Sequence, residues 1–133
     1  MLFFFTGKLF TDGFGEINPC MLSLNIHQRY FLYRCHADMR KGFDGLCGLI
    51  REHLQKDPLS GDVFVFINRR KNQIKLLCWE GDGFMMFYKR LEEGTFEIPK
   101  GNEIKLNVET LSCLLHGITL SSIHKRKRYI HAA

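Results

Sequence analysis

No CxxC pair occurs in this chain, and its five cysteines (Cys20, Cys35, Cys47, Cys78 and Cys113) are odd in number and widely spaced. That argues against a disulfide framework and against a zinc knuckle, and it suits a reducing compartment. No apolar run approaches the roughly 20 residues of a membrane-spanning helix. No phosphate-cradling glycine loop and no catalytic triad is present, and His27, His36, His53, His116, His124 and His131 show no metal-ligand spacing. Neither a cofactor nor a metal is expected, and no residue is assigned a catalytic role. The opening Met1–Thr6 lacks a basic stretch ahead of its apolar residues and breaks at Gly7-Lys8, which argues against a signal peptide. These absences together predict a cytoplasmic protein with no membrane partner.

What is present is enough apolar material for a real core. The chain has 133 residues, 45% of them hydrophobic, with twelve phenylalanines, so one folded domain is expected. The net charge is +5, but four of the basic residues form the run Lys125-Arg126-Lys127-Arg128, and the remainder is close to balanced. The basicity is therefore mostly a property of the C-terminal end. Residues 1–20 are interrupted by Gly7, Gly13, Gly15 and Pro19 and read as an extension, with Met21 the expected natural start. Residues 21–120 form the expected domain, and 121–133 a basic tail.

Between these ends the pattern is clear. Tyr30–Tyr33 reads as a short aromatic strand. Phe43, Leu46, Cys47, Ile50 and Leu54 make one apolar stripe at helical spacing, predicting a helix over 43–55, capped by Asp38 or Gly42 and ended by Asp57-Pro58. Val63–Asn68, Gln73–Glu80 and Phe84–Arg90 read as strands joined by two hairpin-length connectors, Arg69–Asn72 and Gly81–Gly83. A further strand is expected at Thr95–Ile98. Asn107 is placed to cap a second helix carrying Leu111, Leu114, Leu115 and Ile118, with Gly117 near its end. The predicted fold class is α+β: a mainly antiparallel meander of four to five strands with two helices packed on one face.

Three phrases within this pattern are more specific than their periodicity. DMRKGFDGLCGLI at Asp38–Ile50, DPLSGDVFVFINRR at Asp57–Arg70 and LLCWEGDGF with YKRLEEGTFEIP across Leu76–Pro99 occur in that order. Together they resemble the TnpB accessory protein family, encoded beside the transposase in bacterial insertion sequences of family 66. The resemblance covers about residues 21–120. It implies an accessory role in DNA transposition, with DNA (the insertion-sequence ends or any duplex) and the cognate transposase as partners, while strand transfer belongs to a separate, longer transposase. It carries over no catalytic residue.

The candidate contact residues come from charge placement. Arg69, Arg70 and Lys71 on a hairpin tip suit phosphate contact, and the plainer reading is a solvated turn. With Ile74, Leu76 and Cys78 facing the helices, Lys75 and Trp79 share an open sheet face, where a cation and an indole suit phosphate contact and base stacking. Trp79 packed against another strand or a second subunit is the alternative. Arg40 and Lys41 precede a helix N-terminus, where free N–H groups favour anions; the alternative pairs Arg40 with Glu80 or Asp82. Lys125, Arg126, Lys127 and Arg128 complete the DNA-binding set. A different reading takes Asp62, Gln73 and Lys75 as a set that faintly resembles restriction-type nucleases, with an amide where a metal site wants a carboxylate. The expected mode of action is non-catalytic binding, with a protein–protein adaptor that never touches DNA as the alternative.

Overall fold

The computed structural model describes residues 24–118 and 128–131. The extension at 1–20 and the cations Lys125, Arg126 and Lys127 lie outside the described residues.

Among the described residues, five strands form one sheet in the order β4-β3-β2-β1-β5. β2 (Val63–Ile67), β3 (Gln73–Trp79) and β4 (Phe84–Arg90) make the antiparallel meander that the sequence predicts. β1 (Tyr30–Leu32) lies parallel to β2, with Tyr30 opposite Val63, and β5 (Lys105–Leu106) closes the far edge antiparallel to β1. A parallel neighbour cannot be reached by a hairpin, so the chain crosses over between β1 and β2. That crossover is α1 (Phe43–Leu49), which widens into π-helical turns over Ile50–Leu54 and stops where Gln55 turns left-handed at φ 55°. The α+β class is as expected.

The two helices lie on opposite faces, not on one. α2 (Val108–His116) buries Leu111, Leu114 and Leu115 with Ile74, Leu76, Cys78 and Phe87. α1 buries Leu46, Cys47 and Ile50 with Phe31, Phe64, Phe66 and Leu77 on the other side. The physical reason lies in β2, where all five residues are buried: a strand apolar on both sides needs a cover on both sides. No strand forms at Thr95–Ile98. Phe96 is fully buried in the α2-side core, and its N–H bonds to the Lys71 carbonyl at 2.7 Å, so this segment docks as a loop against the β2–β3 hairpin.

The caps of α2 form as the sequence suggests. The Asn107 side chain accepts from the Thr110 N–H at 2.7 Å, and Gly117 takes the left-handed C-cap with φ 77°. α1 starts at Gly42 without a side-chain cap. Among the described residues, no helix is long and apolar enough to cross a membrane.

Candidate functional site

The β2–β3 hairpin tip is built by an asparagine. Asn68 Oδ1 accepts from the N–H groups of both Asn72 and Gln73 at 3.0 Å, and its Nδ2 donates to Asn72 Oδ1 at 2.8 Å. The Lys71 N–H donates to the Asn68 carbonyl at 3.1 Å, with Lys71 itself left-handed at φ 60°. Outside the hairpin, the Lys71 carbonyl accepts from Phe96 and the Asn72 carbonyl from Leu91, each at 2.7 Å. A turn tied down on this many sides holds its residues in fixed directions. Arg69, Arg70 and Lys71 are exposed on it, and none of the ion pairs among the described residues involves them.

The segment after β1 comes to the same end of the sheet, since the Ala37 N–H donates to the Ile67 carbonyl at 3.0 Å, one residue before Asn68. It then makes the turn that carries Arg40 and Lys41. The Asp38 carboxylate accepts the Arg40 N–H at 2.9 Å and grips the Arg40 guanidinium at 2.8 Å. That side-chain bond, with the backbone one, holds the Asp38 pKa down at about 2. Arg40 thus pairs within its own turn, and not with Glu80 or Asp82.

Lys75 corrects the sequence reading. Its face of the sheet is not open, because α1 and the 38–41 turn cover it. The side chain is only 7% exposed and crosses the Tyr88 ring, with Nζ 5.2 Å from the ring centroid. Its ammonium donates to the carbonyls of Met39 at 2.8 Å and Lys41 at 2.9 Å. Burial pushes the Lys75 pKa below its ordinary value. Lys75 therefore positions the Arg40–Lys41 turn and does not itself face an incoming phosphate. A lysine at an alternating strand position reads as solvent-facing in sequence; the signal against it was the unbroken apolar run of the neighbouring β2.

Trp79 lies at the other end of β3, about 13 Å along the strand from Lys75. It meets Phe84 edge-to-face at 5.0 Å, and Phe84 stacks on Phe43 at 6.2 Å. Phe43 is 44% exposed, so the cluster opens to solvent. One chain therefore does not bring Trp79 together with the hairpin cations. Arg128 is docked, not a solvated tail residue: its guanidinium lies 5.4 Å from the Phe96 ring and donates to the Thr95 carbonyl at 3.2 Å.

Sequence reasoning missed two cations at the basic end. Arg90 pairs across the sheet with Gln73, the first residue of β3, and is exposed beside the hairpin tip, bonded to Glu92 at 3.4 Å. Lys89, on the α2 face, donates to the Leu115 carbonyl at 3.3 Å, and burial lowers its pKa, with Arg128 adding to the effect. Hairpin register was the available signal, since two strands joined by a short turn bring the start of one beside the end of the next.

Asp62, Gln73 and Lys75 are not brought together. Asp62 precedes Val63, which pairs with Cys78, whereas Gln73 stands at the opposite end of β3. The Asp62 carboxylate is occupied by Arg29, both bonds being 2.9 Å, and by the Ser60 hydroxyl at 2.9 Å. Among the described residues, no group of histidine, cysteine and carboxylate side chains is placed to hold a metal. Cys47 and Cys78 are buried thiols, and burial pushes Cys78 up to about 11, away from the thiolate a nucleophile needs.

Comparison with known proteins places this geometry in a family context. A family model described as IS66 Orf2 like protein matches residues 28–125. Among curated proteins, the uncharacterized protein y4hO of Sinorhizobium fredii (strain NBRC 101917 / NGR234) is 37% identical over 100 residues, which cover 74% of this chain and 87% of the relative. The uncharacterized protein y4jC of the same organism is 35% identical over 93 residues, covering 68% of this chain and 79% of its own. No solved structure matches.

Proposed function

The chain belongs to the IS66 Orf2-like family, and on that premise we propose that it is an accessory protein of insertion-sequence transposition that acts by binding DNA. The observation that carries this reading is the hairpin tip: Arg69, Arg70 and Lys71 project from a backbone fixed by Asn68, without ion-pair partners among the described residues. Cations held in place and not already neutralised are what a phosphate backbone selects. Lys41, and Arg40 in exchange for its exposed bond to Asp38, widen the same surface. Arg90 extends it along the sheet end. The affinity such a surface supplies is insensitive to sequence, so recognition of particular ends falls to the partner transposase or to bases reached by the aromatic cluster.

A salt titration of duplex binding tests this. Each phosphate contact contributes a slope of about −0.9 in log K against log salt, so Arg69→Ala/Arg70→Ala should flatten the slope by about 2 and weaken binding to all sequences alike. Replacement of Lys125, Arg126 and Lys127 by alanine, which leaves the docked Arg128 in place, should flatten it further. Unchanged affinity and slope in both variants would remove the DNA reading.

The cluster of half-buried Phe84 and Trp79 with exposed Phe43 favours a second reading, contact with the transposase. Aromatics that reach the surface together are typical of protein interfaces. Co-precipitation of the transposase from nuclease-treated extract, lost in Trp79→Ala, separates this adaptor role from DNA binding.

A further inference from the structure

Among the described residues β4 is the outer strand of the sheet, and its outer edge has a definite code. In the β3–β4 ladder the Glu80 N–H bonds to the Gly83 carbonyl at 2.8 Å at one end, and the Leu91 N–H bonds to the Asn72 carbonyl at 2.7 Å at the other. Both fix the same phase: residues 85, 87 and 89 bond inward to β3. Phe84, Met86, Tyr88 and Arg90 then point their N–H and C=O groups outward. Among the described residues, no other element takes up these groups. The strand is seven residues long, FMMFYKR, with no proline and no bulge. Of the devices that normally blunt natural edges of this length, charge alone is present, and it is confined to Lys89 and Arg90 at the end of the strand.

We propose that β4 pairs with β4 of a second copy of this chain, antiparallel and centred on Phe87. This register is singled out by two independent features. First, a two-fold centred on Phe87 sets Met86 opposite Tyr88 of the second copy and Phe84 opposite Arg90, so every outward N–H and C=O finds a partner. Centring on Met86 or Tyr88 leaves an end residue without one, and centring on Met85 leaves two. Second, the side chains complement. Arg90 comes opposite Phe84, beside Trp79 and Phe43, and Lys89 comes opposite Met85, so each cation meets an aromatic or a thioether and no like charges face each other. The two-fold runs through the sheet, so α1 of both copies lies on one side and α2 of both on the other.

The pairing also joins the aromatic cluster of each copy to Arg90 of the other, since Arg90 stands opposite Phe84, the ring on which Trp79 packs.

Sedimentation equilibrium of the full chain, without DNA, should show a dimer. Met86→Pro removes an outward N–H while leaving the inward ladder to β3 intact, and should weaken dimerisation roughly ten- to hundredfold. A crosslink reads the register without relying on that variant. Met85 faces Lys89 of the second copy as a non-hydrogen-bonded pair, where Cα atoms sit about 4.5 Å apart, within disulfide reach. A mixture of Met85→Cys and Lys89→Cys chains should give a disulfide between the two introduced thiols, identified by mass spectrometry, and neither variant alone should give a disulfide at its introduced thiol. A monomer at all concentrations, or a dimer whose mixed variants fail to crosslink at these positions, overturns the proposal.

Discussion

Replacing Lys75 by methionine tests the structure at the point where it departs most from the sequence. Methionine keeps the length and the packing over Tyr88 but removes the donor to the carbonyls of Met39 and Lys41. A hydrogen bond to a charged donor contributes about 1.5–3 kcal/mol, and a buried carbonyl left bare costs about 1–3 kcal/mol. Against that, removing a buried ammonium relieves its desolvation, which is worth several kcal/mol. The balance is a loss of about 2 kcal/mol, equivalent to a fall of about 10 °C in the thermal midpoint for a domain of this size. Thermal unfolding followed by circular dichroism measures it, and amide exchange at Arg40 and Lys41 should quicken, because their N–H groups bond within the turn that Lys75 holds. The alternative has a different signature. A Lys75 that met phosphate directly would leave the midpoint unchanged and flatten the salt slope of DNA binding by about 0.9. An unchanged or raised midpoint with that slope change would refute the positioning role.

Other outcomes follow from single contacts. Asn68→Ala removes the acceptor for two backbone N–H groups at the hairpin tip and should cost about 1–2 kcal/mol while weakening DNA binding, since Arg69 and Arg70 lose their fixed directions; equilibrium urea unfolding and the duplex titration read the two effects. Asn107→Ala should cost about 1 kcal/mol through loss of the α2 cap, with DNA affinity unchanged. Burial raises the Cys78 thiol from 9.0 to about 11, so the folded state holds a proton that the unfolded chain sheds. The stability this supplies is complete below pH 9.0 and is lost as pH rises through about 11. The fall in stability across that window should be shallower in Cys78→Ala than in the parent, by unfolding at a series of pH values; equal slopes would refute it.

The elements that the sequence announced are those with local determinants. The meander follows from Arg69–Asn72 and Gly81–Gly83 at hairpin spacing, and α2 from its leucine stripe between Asn107 and Gly117. What escaped depends on distant partners. Nothing local to Lys75 reveals that two carbonyls of the 39–41 turn will arrive above it. The far edge was misplaced for a similar reason: Thr95–Ile98 has strand-like residues, yet Lys105–Leu106 is what pairs with β1. Of the candidate contacts, the hairpin cations were legible because turns are exposed, whereas Arg90 needed the register and Arg128 the docking of the C-terminal segment onto Phe96.

The position of β1 has a consequence for the order in which the molecule is made. Its three residues sit between β2 and β5, so the side of the sheet beyond β2 is joined by the pairings most distant in sequence, Tyr30 with Val63 and with Leu106. The meander closes over turns of a few residues and pays little loop entropy, so it is the natural nucleus. Insertion of β1 is then the late step, and until it happens the apolar strand β2 stands as a naked edge. A ribosome that has released β1 long before β2 leaves that strand waiting for its neighbour, and slow capture of Tyr30–Leu32 is the point at which nascent chains of this protein would be most prone to aggregate.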